Sequence, residues 1–432
     1  MNKRVLIITY YWPPSGGSGV QRWLKFVKYL PQFGWEPFVF TPENPSFELK
    51  DESLLKDVPP EADIIKLPIW EPYSAYARLS GWLTGRPVKS SDYVSTGKKS
   101  VFQTIAAFIR GNFFIPDPKI FWKRPAVKFL NDFIQHNHIR IIVTTGPPHS
   151  MHLIGLALKK KNPSLKWIAD FRDPWSRWDL LDTLHLTLLA RARHRQLEHR
   201  VLVAADGVLT VTPHYVNWFK ELGARKTVLI TNGYDEDDFS NLCYSKGNKF
   251  TVRHLGVVDE LRDPRPFMLA AREACKENNE LAAVLAIEFV GQVNSAFQRW
   301  VQADDVLSRI TSFRNQVPHG QLVDVYNQTD VLLLVLANSV IAPGNIPGKL
   351  FEYLGSKRPI LGIGPADGDA ASILSKTGAG IVVERNNLQE IKAGLLRLFS
   401  GWKNNTATTG SGVEHYSRRS LTAELAALLN SL

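Results

Sequence analysis

Cysteine is scarce: Cys243 and Cys275 are the only two in 432 residues. Two thiols cannot build a disulfide framework, and their spacing matches no metal-ligand pattern, so the composition suits a reducing compartment with both cysteines as packing residues. Long hydrophobic runs are missing too. No stretch approaches the roughly 18 consecutive apolar residues of a membrane-spanning helix. The start, Met1-Asn2-Lys3-Arg4-Val5-Leu6-Ile7-Ile8, turns polar at Thr9 and reads as a first strand rather than a signal peptide. There is no internal repeat and no low-complexity tract. Charged residues stay at 22% and apolar ones at 44%, which excludes extended disorder. A soluble, cytoplasmic protein is expected, and 432 residues predict two domains rather than one compact core.

Acidic residues are outnumbered by basic ones, 41 to 52, for a formal net charge of +11. That surplus favours an anionic partner: nucleotide phosphates, an anionic bilayer surface or nucleic acid. The basic residues are dispersed and no nucleic-acid motif accompanies them, so nucleic acid is not expected.

What is present is alternation. Short apolar runs at Val5-Leu6-Ile7-Ile8, Pro37-Phe38-Val39-Phe40, Ile141-Ile142-Val143, Trp167-Ile168-Ala169, Val208-Leu209-Thr210-Val211 and Val228-Leu229-Ile230 are separated by amphipathic stretches. Continuous apolar strands between helices predict a parallel sheet covered on both faces. A polar, turn-rich segment over 240–248 suits a linker. Alternation then resumes at Thr251-Val252-Arg253-His254-Leu255, Glu288-Phe289-Val290, Val331-Leu332-Leu333-Leu334-Val335, Ile360-Leu361-Gly362-Ile363 and Ile381-Val382-Val383. The fold class is therefore α/β: two doubly wound Rossmann-like domains over 1–240 and 249–412, facing across a cleft, with a helix over 413–432 that can pack back on the first domain. Open α/β sheets bind ligands at strand carboxyl ends, which places the expected site between the domains.

Residues 70–125 interrupt the pattern with aromatics among basic residues, and helical patches are expected around 74–83 and 101–110. Two readings stand: an insertion packed on the first domain, or a peripheral surface for the inner membrane or a lipid acceptor.

Several segments can carry chemistry. After the first strand, Gly16-Gly17-Ser18-Gly19 opens a helix, where backbone amides and the helix start suit a phosphate or sugar. Its spacing matches neither the dinucleotide fingerprint nor the phosphate-binding loop. In Pro347-Gly348-Lys349-Leu350-Phe351-Glu352-Tyr353, Glu352 can accept two hydrogen bonds from a vicinal diol such as a ribose, and Lys349 can neutralise a phosphate. Thr231-Asn232-Gly233-Tyr234-Asp235 reads as a turn. The consecutive acids 235–238 point in diverging directions, so no metal site is expected. His149, at a predicted helix start after a strand, and Asp170, Arg172 and Asp173, after the next strand, should face the cleft. A helix-start role for His149 and an ion-pair network for the other three are the plainer alternatives.

In this order the strand with Gly16-Gly17, the Thr231-Asn232-Gly233-Tyr234-Asp235 turn and the Pro347-Gly348-Lys349-Leu350-Phe351-Glu352-Tyr353 segment resemble the family-four retaining glycosyltransferases of the GT-B fold, over nearly the whole chain. The resemblance implies donor binding by Gly16, Gly17, Arg262, Arg265, Lys349, Leu350 and Glu352, with Glu352 on the ribose. It implies catalytic roles for Arg262, Lys349 and His149, and acceptor contacts from Asp170, Arg172 and Asp173. A second glutamate is usual eight residues before Glu352; this chain has Gly344 there. The Gly-Arg pattern after the second domain's first strand is also replaced, leaving Arg262 as first and Arg265 as second choice for the diphosphate. The implied activity is metal-independent transfer, with retention, from a nucleotide-diphosphate sugar to a glycan or lipid-linked acceptor in surface-polysaccharide assembly. No cofactor beyond that co-substrate is implied. The alternatives are an inactive sugar-binding module of the same fold and a nucleotide-sugar epimerase.

Overall fold

The computed structural model describes residues 3–47, 49–72, 101–339, 341–406 and 410–432. The chain forms two compact units, Met1–Thr231 with Leu421–Leu432, and Asn232–Ser420.

The first unit is built on seven strands, β1 (Arg4–Ile8), β2 (Glu36–Pro42), β3 (Asp63–Leu67), β4 (Ile141–Gly146), β5 (Lys166–Phe171), β6 (Gly207–Thr210) and β7 (Thr227–Leu229), in the order β3-β2-β1-β4-β5-β6-β7. Every pairing is parallel, with Val5 opposite both Pro37 and Ile141. Among the described residues before the second unit its helices are α1 (Ser18–Tyr29), α2 (Val101–Phe113), α3 (Lys123–His136), α4 (Ser150–Lys161), α5 (Leu188–Ala204) and α6 (Pro213–Glu221). Apolar side chains from both faces of β1 explain why the sheet needs helices on both sides: Leu6 and Ile8 join one core cluster, Val5 and Ile7 the other. The second cluster is completed by Leu421, Leu425 and Leu429 from the terminal helix α15 (Arg418–Asn430).

The second unit contains β8 (Phe250–Leu255), β9 (Leu285–Val290), β10 (Thr311–Arg314), β11 (Val331–Val335), β12 (Ile360–Ile363) and β13 (Gly380–Val383), all parallel, in the order β10-β9-β8-β11-β12-β13. Its helices are α7 (Arg265–Glu277), α8 (Asn279–Val284), α9 (Ser295–Gln302), α10 (Asp305–Ile310), α11 (Leu322–Asn327), α12 (Gly348–Gly355), α13 (Asp369–Thr377) and α14 (Leu388–Lys403). The polar 240–248 segment is pinned within this unit by Asn327, whose side chain accepts from the Cys243 amide at 2.7 Å and donates to the Asn241 carbonyl at 3.3 Å.

The helical patch around 101–110 is α2; the one around 74–83 lies outside the described residues. Cys275 is buried, and burial pushes its thiol up to about 11, whereas Cys243 is exposed and so does not pack as expected. No helix among the described residues is long and apolar enough to cross a membrane.

Each sheet changes direction once. β1 lies between β2 and β4, and β8 between β9 and β11, so the chain leaves the carboxyl ends of neighbouring strands toward opposite sides at these two points. Such switch points open the crevice in which open α/β sheets hold ligands.

Candidate functional site

At the second unit's switch point β8 is followed by Gly256, whose φ of +118° is a left-handed conformation that glycine adopts without cost. A Cβ there would also lie 2.6 Å from the Lys349 Nζ. The ammonium therefore occupies the space that the glycine leaves open. Gly256→Ala is expected to cost about 1–3 kcal/mol through backbone strain and to push the lysine out of place; thermal melting and nucleotide affinity would both register it.

Lys349 lies in the first turn of α12, which follows Pro347 and has no side-chain cap on its first amides. Its Nζ donates to His254 Nε2 at 3.4 Å, while His254 Nδ1 donates to the Leu333 carbonyl at 2.9 Å. The carbonyl can only accept, so the neutral ring carries its proton on Nδ1 and offers Nε2 to the ammonium. Burial and the adjacent Lys349 push the His254 pKa down to about 3, which keeps the ring neutral. Lys349 is itself pushed down to about 8, by burial first and then by the Arg262 charge, against the pull of Glu352 and Asp259.

Arg262 is held by Asp259, whose Oδ2 accepts from the guanidinium at 2.5 Å while its Oδ1 accepts the Arg262 backbone amide at 2.8 Å. The loop is braced from the segment after β11 by the Asn338 amide on the Leu261 carbonyl, 2.8 Å, and by Arg385, which donates to Asp263 and Leu336 carbonyls at 2.7 and 2.6 Å. Arg265 is turned to Asp263, 2.9 Å, and its guanidinium lies 5.6 Å from the Trp300 ring.

Glu352, one turn beyond Lys349 in α12, is half-buried and accepts from the Tyr326 hydroxyl at 3.4 Å. Burial and the Glu352 charge raise the Tyr326 phenol, keeping it a neutral donor. Tyr353 ties the helix to the strand, since its hydroxyl accepts the Leu255 amide at 2.9 Å. Leu350 is fully buried in the core, and its amide donates to the Pro347 carbonyl at 3.0 Å. Gly344 lies in a short 3-10 turn, Ala342–Gly344, and brings no carboxylate to the site.

In the first unit Gly16 donates its amide to the Leu49 carbonyl at 2.9 Å, and a Cβ there would meet the Leu49 side chain at 2.9 Å. Gly17, at φ +86°, precedes the first residue of α1. Arg172 fastens this loop to the end of β4: it donates to the Gly19 carbonyl at 2.6 Å, to Gly146 at 3.2 Å, and to Pro147. Of the two readings the sequence leaves for Asp170, the ion pair is the one seen, with a partner the sequence did not name. The carboxylate is fully buried, and it accepts from the Arg22 Nε at 3.2 Å, the Trp23 indole at 2.7 Å and the Thr145 hydroxyl at 2.8 Å. The reason is Arg22, a buried α1 cation that the sequence reading missed and that needs a counter-charge.

Asp173 is half-buried, and burial raises its pKa against the pull of Arg172. His149 is buried with neither ring nitrogen hydrogen-bonded, and its ring stacks on Trp175 at 4.9 Å and 2°. Burial, then His152, His194 and Arg172, lower its pKa well below the usual imidazole range. Two unpaired nitrogens on one buried ring are a costly arrangement that a ligand can relieve. The first turn of α4 is capped from afar by Asp117, which accepts the Ser150 amide at 2.9 Å and hydroxyl at 2.7 Å. An acid 33 residues upstream leaves no local sequence signal. Among the described residues no group of three or more His, Cys, Asp or Glu side chains is placed to hold a metal ion.

The fold has known counterparts. A glycosyltransferase from Rickettsia africae matches with a TM-score of 0.62 at 13% identity, over 99% of this chain and 98% of that one. The lipopolysaccharide outer core galactosyltransferase WaaB matches at 0.57 and 11% identity, over 99% and 100%. A putative UDP-N-acetylglucosamine 2-epimerase from Listeria monocytogenes matches at 0.56 and 12%, over 100% and 96%. These likenesses establish the two-sheet architecture as the GT-B fold. In sequence, no family model matches the chain and no curated protein does.

Proposed function

We propose that the protein is a retaining glycosyltransferase that moves a sugar from a nucleotide-diphosphate sugar to a glycan or lipid-linked acceptor without a metal ion. The observation that carries this reading is the gathering of Lys349, Arg262 and Glu352 at one sheet switch point. Two cations and the uncapped start of α12 suit a diphosphate, and a carboxylate one turn along suits the ribose hydroxyls. The architecture shared with solved sugar-handling proteins supports the same assignment.

In this reading the bond from the anomeric carbon to the terminal phosphate oxygen breaks while the acceptor oxygen bonds to the same face. Lys349 and Arg262 stabilise the charge that develops on the leaving diphosphate, and the acceptor proton passes to the departing phosphate oxygen. On the first unit, the groups suited to sugar hydroxyls are the unpaired His149 ring and Asp173. Likeness to a galactosyltransferase of the lipopolysaccharide core favours surface-polysaccharide assembly as the setting.

A thermal-shift panel of nucleoside diphosphates and their sugars tests the donor site. One nucleotide is expected to stabilise the native chain, by about 2.7 kcal/mol at a hundredfold excess over Kd, and Glu352→Ala is expected to lose that stabilisation. A panel in which no nucleotide raises the melting temperature would defeat the proposal. Conversion of the sugar without any acceptor would move the assignment to epimerisation, which the Listeria neighbour favours.

A further inference from the structure

Two helices of the first unit, α2 and α5, carry six exposed large apolar side chains between them among the described residues. On α2, Ile105, Phe108, Ile109 and Phe113 fall at i, i+3, i+4 and i+8, a single helix face, and all four are exposed, Phe113 by 73%. Leu188 and Leu189, which open α5, are 86% and 84% exposed. Asn112 joins the two helices there: its Oδ1 accepts both the amide and the hydroxyl of Thr187 at 2.8 Å, and its Nδ2 donates to the His185 carbonyl at 3.3 Å. Phe113 and Leu188 each follow one partner of that junction. The fold of the monomer gains almost nothing from leucines this exposed, and contiguous apolar surface of this kind marks a contact site.

Positive charge continues the same surface. Along α5, Arg193 and Arg200 stand four and eleven residues after Leu189, on its face of the helix, and both are exposed. Lys123, at the start of α3, is within reach of both: burial lowers its pKa first, and the Arg200, Lys160, Arg124 and Arg193 charges lower it further. Lys123, Arg124, Lys128 and Lys161 line one depression between α3 and α4, with Asp132 as its single acid. Beside it, Phe121 is exposed and packs edge-on against Trp70 at 4.8 Å.

We propose that this face of the first unit docks on an anionic phospholipid bilayer, with the arginines and lysines over the headgroups and the Phe113, Leu188 and Leu189 edge inserted between them. Cations that repel one another, with no ion pair to an acid among the described residues, need an anionic partner, and an apolar edge needs a dry one; an anionic lipid interface offers both. A second copy of the same face would set like charges against each other. Lipid binding is read directly, so this inference stands apart from the chemistry proposed for Lys349 and Glu352.

The test is co-sedimentation of the full chain with sucrose-loaded vesicles of phosphatidylglycerol and phosphatidylcholine, against phosphatidylcholine alone. Binding is expected only to the anionic vesicles, with release at high salt. Arg193→Gln with Arg200→Gln should weaken partitioning about 25-fold, at roughly fivefold per charge. Leu188→Ser with Leu189→Ser should weaken it about tenfold. Both variants should keep the native melting temperature, because the altered side chains are exposed. Failure to sediment with anionic vesicles at low salt would overturn the proposal, as would unchanged binding by both variants. A lipid-free dimer broken by the double leucine variant would also overturn it and assign the edge to a second copy.

Discussion

Asp170→Ala is expected to be the most damaging single change in the first unit, lowering its stability by about 3–5 kcal/mol in urea titration. Arg22 lies in α1 with its guanidinium fully buried, and the Asp170 carboxylate stands 3.2 Å from it as a counter-charge. The same guanidinium donates to the Ile230 and Thr231 carbonyls at 2.9 and 2.8 Å, so one cation fastens α1, β5 and the segment after β7. Removing the carboxylate strands that cation and leaves the Trp23 indole and Thr145 hydroxyl without their acceptor. Burial already lowers the Arg22 pKa, and Asp170 is the first-named charge that opposes it. Arg22→Met combined with Asp170→Ala should therefore recover part of the loss, since a buried pair removed on both sides costs less than one broken on one side. A single Asp170→Ala variant within about 1 kcal/mol of native would contradict this account.

The pair also shows where sequence reading stops. An arginine in an amphipathic helix reads as a solvated charge; only the β5 carboxylate, 148 residues away, makes it a core residue. The strands divide along similar lines. The central ones were legible because both faces are buried, so that Leu332, Leu333 and Leu334 form an unbroken apolar run. The two that the apolar runs did not mark, β3 with Asp63 and Lys66 and β10 with Thr311 and Arg314, are edge strands, paired on one side and partly in water. Lys349 and Glu352 were legible because a Pro-Gly entry into a short helix is local. The contacts that tune them were not: His254, Asp259 and Tyr326 reach α12 from other elements of the second unit.

Lys349→Met is expected to reduce transfer about 10²–10³-fold, the usual cost of removing one preorganised group that stabilises developing charge. Its signature is in the pH dependence. The folded lysine titrates near 8 and the free side chain at 10.5, because burial and Arg262 disfavour the ammonium. A diphosphate needs the charged form, so donor affinity of the native chain should fall as pH rises through about 8, while the methionine variant stays flat in that range. Stability must move the other way. Between pH 8 and 10.5 the unfolded chain binds more protons at this residue than the folded one, so the cost of burying the ammonium is complete below 8 and disappears as pH rises. Nucleotide titrations and thermal melts over this interval should then diverge in the native protein, affinity falling while the lysine contribution to stability climbs. Affinity that holds or increases above pH 8 would show that Lys349 does not bear the phosphate charge, and would leave Arg262 as its carrier.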